Sequence, residues 1–89
     1  MNVEFTTKFK KQYDQLNRQP DVSASLLKII DMMQQASSIS EIKNSKKLAG
    51  YTKCYRIRVG NYRIGLKIEE DTVIFAAFAH RNDICKQFP

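Results

Sequence analysis

Apolar residues recur at helical spacing in the first half of the chain and at every second position in much of the second half. Asn2–Phe5 has the character of a short strand. Phe9, Tyr13 and Leu16 then follow three or four residues apart, with Thr6 or Thr7 placed to cap, which predicts an amphipathic helix through Leu16. Pro20 cannot continue that helix but suits the start of another. Asp21 or Ser23 can cap it, and Val22, Leu26, Leu27, Ile29, Ile30 and Met33 form its apolar stripe as far as Ala36. Ser37-Ser38-Ile39-Ser40 breaks the pattern, and Ser40–Lys43 predicts one more helical turn before a basic loop.

From Cys54 the period is two. Tyr55, Ile57 and Val59 alternate with Arg56 and Arg58, and Tyr62, Ile64, Leu66 and Ile68 alternate with Arg63 and Lys67. Gly60-Asn61 between them tolerates the positive φ angles of a tight hairpin turn. Glu69-Glu70-Asp71 makes a second turn, and Thr72–Ala79 is apolar on both faces, as a strand covered from two sides would be. Asn82-Asp83 can cap a last short turn with Ile84 and Phe88 before Pro89. The expected fold is α+β, in the order β-α-α-β-β-β. Two N-terminal helices pack on one face of a mainly antiparallel sheet, and a short C-terminal helical turn follows. The other face stays open.

Length confines this to a single domain over residues 1–89, because a chain of 89 residues supports one core. Neither a leader-like segment nor a membrane-spanning apolar run is legible, so a cytoplasmic protein without a membrane partner is expected. Cys54 and Cys85 lack metal-site spacing and read as free thiols. The net charge is +6, and from Ile42 to Lys67 the chain carries Lys43, Lys46, Lys47, Lys53, Arg56, Arg58, Arg63 and Lys67 without an acid. Such a field attracts polyanions, the alternative being a solvated basic surface.

With Gly60-Asn61 as the turn, Arg58 stands opposite Arg63. A like-charge pair there costs roughly 0.2–1 kcal/mol, and a phosphate between the two guanidiniums converts the cost into attraction. Both arginines splaying into solvent is the alternative. A two-residue turn at Glu70-Asp71 would pair Lys67 with Ile74, setting Phe78 and His80 on the arginine face and Arg81 across from it. No paired carboxylates, phosphate loop or Ser/His/Asp arrangement offers a competing chemistry, and no cofactor or metal is called for. Tyr51, Tyr55 and Tyr62 interleave with the cations. Base stacking is open to them, with core packing the alternative for Tyr55 and Tyr62.

Lys47-Leu48-Ala49-Gly50 leads into Tyr55-Arg56-Ile57-Arg58. Gly60-Asn61-Tyr62-Arg63-Ile64 and His80-Arg81-Asn82-Asp83-Ile84 follow, and Phe88-Pro89 closes the chain. This ordered set resembles the RelE/ParE toxin family, and more closely its RelE-type messenger-RNA interferases. The resemblance implies a toxin of a type II toxin–antitoxin system, partnered by a cognate antitoxin. It also implies cleavage of messenger RNA on the ribosome by 2′-hydroxyl attack, without metal. By the same resemblance Arg63 and Arg81 hold the scissile phosphate and Arg58 adds positive charge. Lys47 and Arg56 grip the RNA backbone with help from Lys46 and Lys67, and His80 transfers a proton. Cys85 stands where relatives often carry a tyrosine. A thiol with an ordinary pKa of about 8.5 can carry a proton but cannot stack a base. Two other functions fit the same resemblance: a ParE-like inhibitor of DNA gyrase, and a non-catalytic RNA-binding relative. Sequence-specific DNA binding by the chain alone is not expected, for want of a helix-turn-helix pattern.

Overall fold

The structure is a computed structural model that describes residues 1–16 and 20–88, with all of their side chains except that of Leu16. Its elements are β1 (Asn2–Phe5), α1 (Thr7–Leu16), α2 (Pro20–Gln35), a 3-10 turn (Ile39–Glu41), β2 (Ser45–Lys47), β3 (Cys54–Val59), β4 (Tyr62–Glu69), β5 (Thr72–His80) and α3 (Ile84–Gln87). The strands form one sheet in the order β1-β5-β4-β3-β2. β1 and β5 run parallel and every other pair is antiparallel. The α+β arrangement expected from the sequence is therefore present, with one strand more. Residues read as a basic loop form β2, which sets Ser45, Lys46 and Lys47 opposite Ile57, Arg56 and Tyr55. Three residues are too few to display a period. Leu16 of the helical stripe and the closing Pro89 lie outside the described side chains and residues.

Thr6 caps α1, its hydroxyl accepting the N–H of Phe9 at 3.1 Å. Pro20 stands at the start of α2, where a missing N–H is harmless. Asp21 and Ser23, expected as caps, therefore fall inside the helix, and Asp21 faces the positive end of its dipole. At the other end the N-terminal ammonium donates to the carbonyls of Met33, Gln34 and Ala36 at 3.3, 3.1 and 2.8 Å. Phe9, Val22, Leu26 and Met33 from the helices meet Ile57, Ile64, Leu66, Val73, Phe75 and Phe78 from the sheet in one buried core. Each fully buried large side chain there contributes about 1.5–3 kcal/mol.

The β4–β5 register contains the main departure from expectation. Lys67 pairs with Ile74 as predicted, and Leu66 with Phe75, but Gly65 pairs with Ala77, so Ala76 is an unpaired bulge residue. Every later side chain of β5 changes face. Phe78 consequently packs against Phe9 and Tyr13 of α1, and His80 stands opposite Tyr62 on that same side. The bulge is tied to the helix: Thr6 Oγ1 donates to the Ala76 carbonyl at 3.1 Å, and the N–H of Phe78 donates to Gln12 Oε1 at 2.9 Å.

The second face of the sheet is not fully open. Asp83 precedes α3 without a side-chain capping bond, and Phe88 lies just past its end in extended conformation rather than within the turn. Ile84 and Phe88 bury Ala77 and Ala79 in a second, smaller cluster. Phe88 rests on Gly65, where an added Cβ would overlap its ring and come within 2.9 Å of its own Cβ. Among the described residues no helix is long and apolar enough to cross a membrane.

Thr6→Ala removes both the α1 cap and the hydroxyl that holds the bulge. Its unfolding free energy, measured by urea titration, is expected to fall by about 1–2 kcal/mol.

Candidate anion-binding site

The site starts from the hairpin. Gly60 has φ of +59° while Asn61 does not enter the positive region, the pattern of a turn that needs glycine at its first central position. This turn sets Val59 opposite Tyr62 and Arg58 opposite Arg63, the like-charge pair expected from the sequence. Nη1 of Arg63 folds back to donate to the carbonyls of Gly60 and Tyr62 at 3.1 and 2.9 Å. Two of its donor directions are thereby fixed, and the rest of the fork is held in place.

Arg81 arrives from the end of β5. Its N–H donates to the Asn61 carbonyl at 2.8 Å. Ala79 lies opposite Arg63, so two residues on Arg81 shares that face, contrary to the unbulged register. Desolvation holds the Arg63 guanidinium below the ordinary arginine range, and the charges of Arg58, Arg81 and Arg56 push the same way. An anion received among these groups relieves their repulsion and gains bidentate hydrogen bonds. Asn44, Ser45, Lys46, Arg56, Arg58 and Arg63 line a hollow of about 390 Å³ here, and none of them is acidic. Asn44 turns the chain into β2 with φ of +64°, a conformation asparagine tolerates well.

Not all of the sequence candidates gather here. Lys46 pairs with Arg56 and reaches the hollow, whereas Lys47 pairs with Tyr55 and lines a separate depression with Leu48, Ala49 and Tyr51. Lys67 lies beyond Gly65 along β4 and forms an ion pair with Glu69 at 3.0 Å. Arg56 is committed to the C-terminal segment. Its Nη2 donates to the Phe88 carbonyl at 3.3 Å, and its Nε is buried with no hydrogen-bond partner.

His80 lies on the helix side, packed edge-on against Tyr62 with ring centroids 5.8 Å apart. Its Nδ1 accepts the N–H of Asn82 at 3.2 Å, which leaves Nε2 to carry the proton of the neutral ring. Tyr55 and Tyr62 pack against the core, while Tyr51 is exposed. Cys85 is an exposed free thiol on α3, and Cys54 is a half-buried one. Among the described residues no group of three or more His, Cys, Asp or Glu side chains is placed to hold a metal ion. Sequence reasoning missed Asn44, Ser45 and the Gly65–Phe88 contact. A lone glycine between Ile64 and Leu66 was the available signal, since glycine inside a strand marks close approach by another group.

Residues 3–84 match the family described as the ParE toxin of a type II toxin–antitoxin system, parDE. The chain is also 47% identical over 62 residues to toxin RelE3 of Methanocaldococcus jannaschii, covering 68% of this chain and 70% of that protein. This chain belongs to the RelE/ParE toxin superfamily. Its fold matches the RelB–RelE antitoxin–toxin complex from Methanococcus jannaschii with a TM-score of 0.79 and 38% identity, covering 98% of this chain and 100% of that one. The YoeB dimer from Staphylococcus aureus shares the RelE/ParE fold at a TM-score of 0.73 and 13% identity, covering 91% and 97% of the two chains. Arg58, Arg63 and Arg81 therefore form a three-arginine cluster on a RelE/ParE toxin scaffold.

Inorganic phosphate at constant ionic strength is expected to raise the thermal midpoint of the wild-type toxin by several degrees. Arg58→Gln is expected to be about 0.2–1 kcal/mol more stable without phosphate and to gain less from it, as differential scanning fluorimetry would measure.

Proposed function

We propose that this toxin is an endoribonuclease that cuts messenger RNA on the ribosome, with guanidinium groups rather than a metal ion carrying the transition-state charge. The observation that carries the proposal is the convergence of Arg58, Arg63 and Arg81 on one face, with Arg63 braced by two carbonyls and no acid lining the hollow. In the reaction the 2′-hydroxyl attacks the adjacent phosphorus, the 5′-oxygen leaves and a 2′,3′-cyclic phosphate forms. Arg63 and Arg81 hold the non-bridging oxygens as negative charge builds on them, and Arg58 adds to the field. The protein then has little covalent work to do, and the ribosome helps set the in-line geometry.

His80 enters this proposal as a proton carrier at the rim. Nε2 can serve a group that passes over the turn after β5, not one seated between Arg58 and Arg63. Cys85, exposed on α3, can carry a proton but supplies no stacking surface. Lys46 is the lysine best placed to track the RNA backbone from the same hollow, with Lys47 and Lys67 acting farther along the chain of phosphates.

A cognate antitoxin belongs to the proposal. Two similar structures are toxin–antitoxin complexes, RelB–RelE from Methanococcus jannaschii and RelBE2 from Mycobacterium tuberculosis. An acidic or amphipathic antitoxin segment would compete with RNA for Arg58 and Arg63, so both associations should weaken as salt rises. The match to a family described by its ParE members supports a second function, inhibition of DNA gyrase without nuclease chemistry.

In a purified translation system, primer extension should reveal ribosome-dependent cuts with wild-type toxin. Arg63→Ala and Arg81→Ala are each expected to slow them by about 10²–10³-fold. His80→Gln should cost less than either. Intact messenger RNA together with loss of supercoiling activity in a gyrase assay would instead establish the second function.

A further inference from the structure

The position of Arg81 presents a physical problem. It follows the end of β5, in a short turn, where its charge opposes that of Arg63. Without an anion present, the like charge of Arg63 favours positions of this side chain farther from it. Something in the fold must hold the turn where the charges disfavour it.

We propose that Phe88, seated on Gly65 and clasped by Arg56, is a positioning device for Arg81. The inference rests on the phosphate-binding role given to Arg81 above. Arg81 N–H is bonded to Asn61, and Asp83 N–H returns to the His80 carbonyl at 2.8 Å, so the turn is tied at both sides. Ile84 continues into the cluster with Ala77 and Ala79 and is 2% exposed. Phe88 then closes the segment over Gly65, the residue next but one to Arg63 on β4. Lys8 Nζ and Gln12 Nε2 bind Gln87 from α1. The clasp uses Arg56 in an expensive way, since its Nε gives up hydration without gaining a partner. An arginine serving only to collect RNA would stay solvated. Gly65 has ordinary strand φ, so glycine is needed here for the space that Phe88 fills rather than for backbone freedom.

The device acts through Arg81, so it should govern the chemical step more than RNA capture. Gly65→Ala and Phe88→Ala, assayed well below their unfolding midpoints, are expected to lower kcat for cleavage of programmed ribosomes at least ten-fold. KM should move less than three-fold. Phe88→Leu should recover much of the loss, and adding Gly65→Ala to Phe88→Ala should cost almost nothing further, because the clash partner is gone. Arg56→Lys, which keeps the charge but loses the fork, should show a smaller kcat defect of the same kind.

Folded Gly65→Ala and Phe88→Ala proteins with wild-type kcat, or independent effects of the two sites, would overturn the proposal. Should the wild type cut no messenger RNA, the nuclease assignment fails on its own. The clasp is then judged from the Nε–Hε NMR signal of Arg81. A dispersed signal in the wild type that collapses to the averaged position in Phe88→Ala supports it, and an unchanged signal refutes it.

Discussion

Ala76 has no partner on β4, and its carbonyl is held by the hydroxyl of Thr6. That contact fixes a one-residue offset in β5, and most of what matters on the sheet follows from it. Phe78 is sent into the helix-facing core and Ala79 is left beneath α3, where a larger residue would lift the C-terminal segment. Arg81 emerges on the side occupied by Arg58 and Arg63. Thr6 caps α1 at the same time, so helix start and strand irregularity are one local structure.

The second constraint is electrostatic. Three arginines from three strands or strand ends share one face, and Arg58 and Arg81 raise the cost of charge on Arg63. The protein offsets this with backbone carbonyls on Arg63, a turn-to-turn backbone bond from Arg81 to Asn61 and an apolar roof beside them. Stability is being given up locally in a way that the proposed anionic ligand would restore. Sheets without such a ligand seldom keep arginines directly opposed.

Much of this was legible in the residues. The Gly60-Asn61 turn and the strict alternation around it determine the Arg58–Arg63 pair, because hairpin register is a local property. The Ala76 bulge was not legible: Phe75-Ala76-Ala77-Phe78 is apolar throughout, so no polar residue marks which face each position takes. His80 consequently lies on the side opposite to the one an unbulged register predicts. β2 escaped notice through brevity, and the commitment of Arg56 depends on Phe88, 32 residues away, which no local pattern encodes. Pairing also separates Lys46 from Lys47, a distinction that adjacency in sequence conceals.

The free margin at β2 has a bearing on behaviour at high concentration. An exposed strand edge invites copies of a protein to pair backbone to backbone, and short, lysine-bearing edges discourage it. β2 is three residues long and two of them are lysines. At the other margin β1 stops at Phe5, and Gln12 takes the β5 N–H of Phe78 just past that point. The positive charge on this edge thus keeps the molecules from joining their sheets, so neutralising Lys46 and Lys47 would invite self-association.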